Sequence, residues 1–278
     1  MHPILIDLGT HDLPLLGETH LFLPTYGVLF ALAVLFAWVW FVRRGRTLGC
    51  AEEQLFNLTF FSVLAGILGA KVLLIAIDWR TYLAYPREIL GTLRTAGVLL
   101  GGVLAGAVTF VLYARRHGMP VWGLADAVAA PLALAQAMGR LGCFSAGCCW
   151  GVPLGANHPL AITFTSEQAH LQTGVPIGVP RLPVQLIEMA FDLSLCLLLT
   201  WLWRRGPRPV GTVFWTYLLL YSLGRSALEF WRADLQRGLF LGGVVSTSQL
   251  LGFAGALVAA VMLLRGLQLR RRASAPSA

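Results

Sequence analysis

Apolar runs long enough to cross a bilayer as helices fall at about 22–42, 54–77, 97–114, 119–138, 183–203, 210–230 and 244–266, with short polar connections between them. A hydrocarbon layer of about 30 Å takes about 20 residues of α-helix. The pattern therefore predicts about seven transmembrane helices. Strands are the weaker alternative: an open sheet edge is untenable in lipid, and no strand-length alternating segments suggest a barrel. The predicted fold is an all-α polytopic membrane bundle. Residues 1–21 form a short external segment, 22–268 a single transmembrane domain with a long loop at about 139–182, and 269–278 a small polar tail.

Composition strengthens this reading. Hydrophobic residues make up 57% of the 278 and charged residues only 12%, with a mean hydropathy of +0.71. Soluble domains carry about a quarter charged residues. The net charge of +8 would invite a nucleic-acid partner in a soluble protein, but here the basic residues sit in clusters between apolar runs. Arg43, Arg44 and Arg46 follow the first run, and Arg115 and Arg116 the third. Arg204, Arg205 and Arg208 follow the fifth, and Arg265, Arg270, Arg271 and Arg272 follow the seventh. Alternate loops and the C-terminus thus carry 12 of the 21 basic residues. Cytoplasmic loops are enriched in Lys and Arg, so the N-terminus is predicted outside and the C-terminus in the cytoplasm. Loops at about 78–96, 139–182 and 231–243 then face outward. Residues 1–20 hold Asp7, Asp12 and Glu18 but neither Lys nor Arg, which argues against a secretory signal. No nucleic-acid partner is expected.

Ionisable side chains inside a membrane are costly, so each one asks for a reason. Four groups stand out, all at the outward ends of the spans. The stretch Gly139 to Gly151 (GRLGCFSAGCCWG) contains Arg140, Gly142, Cys143, Cys148, Cys149 and Gly151. Its glycines permit close backbone approach, and the Arg140 fork suits a phosphate; a re-entrant turn with a snorkelling arginine is the other reading. Arg225 and Glu229 share a helix face, with Arg232 beyond them, as a structural ion pair or as an arginine aimed at a lipid phosphate. Gln185, Glu188 and Asp192 follow Pro183 at helical spacing and form a polar stripe that must face protein or a wet cavity. Tyr26, before Gly27, fits the interfacial aromatic belt or the same cavity.

The five cysteines, Cys50, Cys143, Cys148, Cys149 and Cys196, include no CxxC. The odd count argues against a disulfide scaffold. Cys143, Cys148 and Cys149 are small packing residues, one oxidised pair, or reactive groups. An adjacent Cys148–Cys149 bond would be a strained ring, whereas Cys143 could reach either. No histidine lies at close spacing, so no metal site is expected, and no cofactor.

Taken in order, these residues resemble the prolipoprotein diacylglyceryl transferase family. The most specific parts are Gly139-Arg140-Leu141-Gly142-x-Phe144 with Gly147 and Gly151, Pro183-x-Gln185-Leu186-x-Glu188, and Arg225-x-x-x-Glu229-Phe-x-Arg232. The resemblance implies a multi-pass enzyme of the bacterial inner membrane. Such an enzyme moves a diacylglyceryl group from phosphatidylglycerol to the lipobox cysteine in the signal peptide of a preprolipoprotein. It further implies that Arg140 and Arg225 contact the headgroup phosphate, that Tyr26 lines the cavity, that Glu229 orients Arg225, and that Gln185 and Glu188 support the interior. Gly142, Cys143, Gly151 and Arg232 fall within the same motifs.

The chain also departs from the family pattern. Leu100 stands where a His-Gly-Gly motif is expected, with Gly101 and Gly102 kept. Cys143 and Ala146 replace asparagines, and Cys148 replaces a glutamate. Three outcomes are open: the histidine is dispensable; the reaction has changed to use Cys143, Cys148 or Cys149; or the scaffold binds lipid without catalysis.

Overall fold

A computed structural model describes residues 2–13, 17–92, 97–206, 208–233, 239–240 and 245–273. Parts of the predicted outer loops (93–96, 234–238 and 241–244) and the end of the tail (274–278) lie outside the described residues. The helices are α1 Thr25–Arg46, α2 Glu52–Ile77, α3 Trp79–Ala84, α4 Glu88–Gly91, α5 Leu99–Arg116, α6 Val121–Ala146, α7 Glu167–Thr173, α8 Val184–Arg204, α9 Thr212–Leu228 and α10 Thr247–Ala273. Six of them, α1, α2, α5, α6, α8 and α10, are long and apolar enough to span a bilayer. Helix α9 has 17 residues and continues into a 3-10 turn at Glu229–Trp231. At 1.5 Å per residue this combined segment also reaches about 30 Å. The chain is an all-α membrane protein.

Four boundaries differ from the sequence reading, one being the end of α10, which runs to Ala273 within the expected tail. Residues of the expected external N-terminal segment pair as an antiparallel hairpin, β1 Ile4–Leu13 with β2 Gly17–Pro24, that reaches up to the first helix. Helix α1 therefore starts at Thr25, whose amide donates to the Pro3 carbonyl at 3.0 Å. The fourth span runs on to Ala146, so Arg140, Gly142 and Cys143 sit on a helix and not in the loop expected from 139. The sixth span stops at Leu228, leaving Glu229 in the 3-10 turn.

The molecule divides into two units, Met1–Trp40 with Ala125–Ala278, and Phe41–Leu124. In the first, Ala129, Ala130 and Ala133 of α6 pack against Leu195, Cys196 and Leu199 of α8 and Val213 and Tyr217 of α9. Small residues let membrane helices approach closely. Asp126 of α6 caps α9 from outside that helix: its carboxylate accepts from the Gly211 amide at 2.7 Å and the Phe214 amide at 2.8 Å. Those amides are among the orphan donors of a helix start. Helix α10 opens with a capping box, in which the Ser246 amide donates to Gln249 Oε1 (3.0 Å) and the Gln249 amide to Ser246 Oγ (3.2 Å). Arg208, from a basic cluster expected to set topology, donates to the Leu202 and Trp203 carbonyls at the end of α8.

In the second unit, α2 and α5 meet through glycines. A Cβ on Gly69 would lie 2.6 Å from the Gly101 carbonyl oxygen, and one on Gly102 would lie 3.0 Å from that of Gly66. The retained pair Gly101-Gly102 is thus used for helix packing. Leu100 is half-buried in the first turn of α5.

Candidate lipid-headgroup site

The site is built around the C-terminal end of α6. Gly147, with φ of 76°, ends this helix in the left-handed region that glycine tolerates. The Gly147 amide bonds the Phe144 carbonyl (3.2 Å) and the Cys148 amide bonds that of Cys143 (3.1 Å). These two bonds are the Schellman pattern. They fold the chain back so that Cys148 and Cys149 lie over Cys143.

Beyond this turn the segment is ordered. Trp150, Phe164, Ala169 and Val175 make a small core, and β3 Ile162–Thr163 pairs with β4 Pro180–Arg181. Gly151 is the crossing point. Its amide donates to the Leu182 carbonyl at 3.2 Å, and the next amide, of Val152, donates to Trp231 at 2.9 Å. A Cβ on Gly151 would come within 2.5 Å of both Leu182 and Val184, so only glycine fits. This knot ties together the ends of α6, α8 and α9, the three helices that carry the charged side chains.

Those charges form one chain of ion pairs. Arg140 Nη1 lies 2.8 Å from Glu188 Oε2, and Arg225 Nε lies 3.6 Å from Glu188 Oε1. Arg225 Nη1 also meets Glu229 Oε2 at 2.5 Å, and Arg232 Nη1 stands 3.9 Å from the same oxygen. The glutamate side chains are 3% exposed and those of Arg140 and Arg225 18% and 14%. Two guanidiniums from different helices therefore converge on one buried carboxylate. A crevice lined by Arg140, Glu188, Asp192, Tyr221, Arg225 and Leu228 lies among them, too narrow in this conformation to hold a water molecule.

The remaining predicted residues gather on the turn side of Arg140. The Tyr26 ring rests on Gly142, where a Cβ would come 2.9 Å from Tyr26 Cδ2. Gln185 is fully buried and donates from Nε2 to the Cys148 carbonyl at 2.6 Å, fastening α8 to the turn. Cys143, Cys148 and Cys149 are free thiols, and their three sulfurs lie within 4.8 Å of one another. Hydrogen bonds with the Cys143 and Cys148 thiols, and then the Arg232 and Arg140 guanidiniums, pull the Cys149 thiol below its ordinary range against the effect of burial.

The sequence reading missed two features. Tyr221 lines the crevice, and its place four residues before Arg225, on the same helical face, was the available signal. Lys71, in α2, donates to the Thr92 carbonyl; a lysine within an apolar run was the signal there.

A model of the prolipoprotein diacylglyceryl transferase family matches residues 16–265. The chain is 35% identical over 225 residues to phosphatidylglycerol–prolipoprotein diacylglyceryl transferase 2 of Clostridium perfringens, covering 81% of this chain and 84% of that protein. It is 34% identical over 224 residues to the phosphatidylglycerol–prolipoprotein diacylglyceryl transferase of Clostridium tetani, covering 81% and 85%. With the protein of that name from Synechococcus elongatus it shares 33% over 225 residues, covering 79% and 75%. The match takes in all three charged helices and the glycine turn between them, and the chain belongs to the prolipoprotein diacylglyceryl transferase family.

Proposed function

We propose that this protein transfers a diacylglyceryl group from phosphatidylglycerol to the thiol of a lipobox cysteine in a preprolipoprotein, at the outward face of a bacterial inner membrane. The observation that carries the reading is the convergence of Arg140 and Arg225 on Glu188. In the proposed step the peptide thiolate sulfur attacks the glyceryl carbon of the lipid. A carbon–sulfur bond forms, the carbon–oxygen bond to phosphate breaks, and glycerol phosphate leaves with the electron pair. Charge builds on the phosphate oxygens as that bond opens, and preorganised donors at such a place contribute about 3–4 kcal/mol each. Arg140 and Arg225 would supply them by exchanging the Glu188 carboxylate for phosphate. The basic ends of α1, α5, α8 and α10 support the orientation this requires, with the site outward and the C-terminus in the cytoplasm.

Leu100 favours a second reading. If the expected histidine is needed to take the thiol proton, this chain binds the lipid without transferring it. Incubation of the detergent-solubilised protein with phosphatidylglycerol and a fluorescent lipobox peptide separates the two. Stoichiometric glycerol phosphate and a thioether-linked peptide are expected. Lipid binding without either product would leave the second reading.

A further inference from the structure

The three sulfurs at the α6 terminus have no part in the proposed transfer. Cys143 is the fourth residue from the end of the helix, and the Schellman turn at Gly147 returns the chain over it. Cys149 then takes φ of 61°, the sole described residue other than glycine with positive φ. A side chain there costs about 1–2 kcal/mol, and such strain persists only where the surroundings hold it. Here the turn brings Cys149 to the other two thiols: Cys148 Sγ donates to the Cys143 carbonyl at 3.6 Å, and the three sulfurs lie within 4.8 Å of each other. Three thiolates around one ion, with metal–sulfur bonds of about 2.3 Å, sit about 4 Å apart.

We propose that Cys143, Cys148 and Cys149 form a three-coordinate thiolate site for a soft monovalent cation, copper(I). Thiolates select soft ions. Zinc prefers four ligands, and among the described residues no fourth His, Cys, Asp or Glu completes the group. Binding releases three thiol protons and leaves the copper–trithiolate with a charge of minus two, next to Arg140 and Arg232, the guanidiniums that act on Cys149. Arg140 is also one turn from Cys143 on the same helix face. A loaded site thus sets negative charge against a guanidinium of the ion-pair chain. Spacing in the sequence pointed away from a metal because it offered no histidine; the turn geometry replaces the missing ligand type with a third sulfur.

The test uses the full chain, reduced and anaerobic in detergent, titrated with copper(I) against a chromophoric copper(I) chelator. Withdrawal of one equivalent from the chelator is expected, with a thiolate-to-copper absorption in the ultraviolet. Cys143→Ser and Cys149→Ser should each weaken binding by more than about 100-fold, beyond what loss of an outer hydrogen-bond partner costs, while Cys50→Ser should not. If a serine variant fails to fold, reversible capping of the wild-type thiols with methanethiosulfonate tests the same point: binding should vanish and return on reduction. No withdrawal by the wild type, binding indifferent to Cys143 and Cys149, or preference for zinc(II) in the same competition would overturn the assignment. Because copper binding is read directly, its failure leaves the transfer reaction untouched, and the converse holds too.

Discussion

The Tyr26 ring lies so close to Gly142 that a single methyl group on the glycine would come 2.9 Å from Tyr26 Cδ2. The contact joins the start of α1 to the last turn of α6, one residue from Cys143 and two from Arg140. Gly142→Ala should therefore push the ring aside. We expect transfer to fall about tenfold or more, since misplacing a binding group by about 1 Å costs up to about 100-fold. The smaller Tyr26→Leu side chain combined with Gly142→Ala should recover the fold, read as the thermal midpoint in detergent, without recovering turnover. Full activity in Gly142→Ala would remove Tyr26 from the site.

Loss of either arginine should be catalytic before it is structural. Arg140→Ala and Arg225→Ala are each expected to lower turnover by about 100- to 1,000-fold, the range for removing one preorganised donor. Arg140→Lys keeps the charge but loses the planar fork, and should fall between the wild type and alanine. Glycerol phosphate release measures all three.

Glu188 should behave differently. Breaking a buried ion pair by removing one partner costs about 3–5 kcal/mol, and here one carboxylate answers to two guanidiniums. Glu188→Gln, which keeps an accepting oxygen, should lower the unfolding midpoint in detergent more than either arginine variant. A midpoint equal to the wild type would mean that Glu188 does not hold the pair.

The pH profile bears on the missing histidine. A thiol attacks as its thiolate, and an unperturbed cysteine has a pKa of about 8.5. With Leu100 at the expected position, turnover should rise with pH toward that value and drop about tenfold per unit below it. Leu100→His should raise activity near neutral pH and move the rising limb downward. A flat wild-type profile between pH 6 and 8 would place a base elsewhere in the protein.

Asp126 offers a stability prediction separate from the chemistry. Its carboxylate accepts two amides at the start of α9, and hydrogen bonds to charged groups contribute about 1.5–3 kcal/mol. Asp126→Ala should lower the thermal midpoint while leaving the lipid specificity of the remaining folded protein unchanged.

The spans were legible because hydrocarbon imposes one rule on every residue of a helix. Their ends were not. Gly139 and Gly142 read as the start of a loop, yet α6 continues through both, because Tyr26 fills the space over Gly142 and Glu188 neutralises Arg140. Those partners lie more than forty residues away on other elements, beyond any local pattern. The hairpin at residues 4–24 was hidden for a related reason: its pairing satisfies backbone groups that composition does not report. Of the candidate site, the residue types and the pairing of Arg225 with Glu229 were readable from spacing. That Glu188 would bridge Arg140 and Arg225 depends on how the knot at Gly151 draws α6, α8 and α9 together, whereas the three cysteines meet through the local turn at Gly147.

The bridging carboxylate has a bearing on turnover. Glu188 is a resident anion on a short leash, and a tethered group competes at an effective concentration of millimolar or more. On the proposed reaction, each incoming phosphate must oust it, which loosens the grip on the donor lipid. When glycerol phosphate forms, the same carboxylate would swing back onto the arginines and evict it. A pair of guanidiniums strong enough to stabilise the departing phosphate would otherwise be clogged by it.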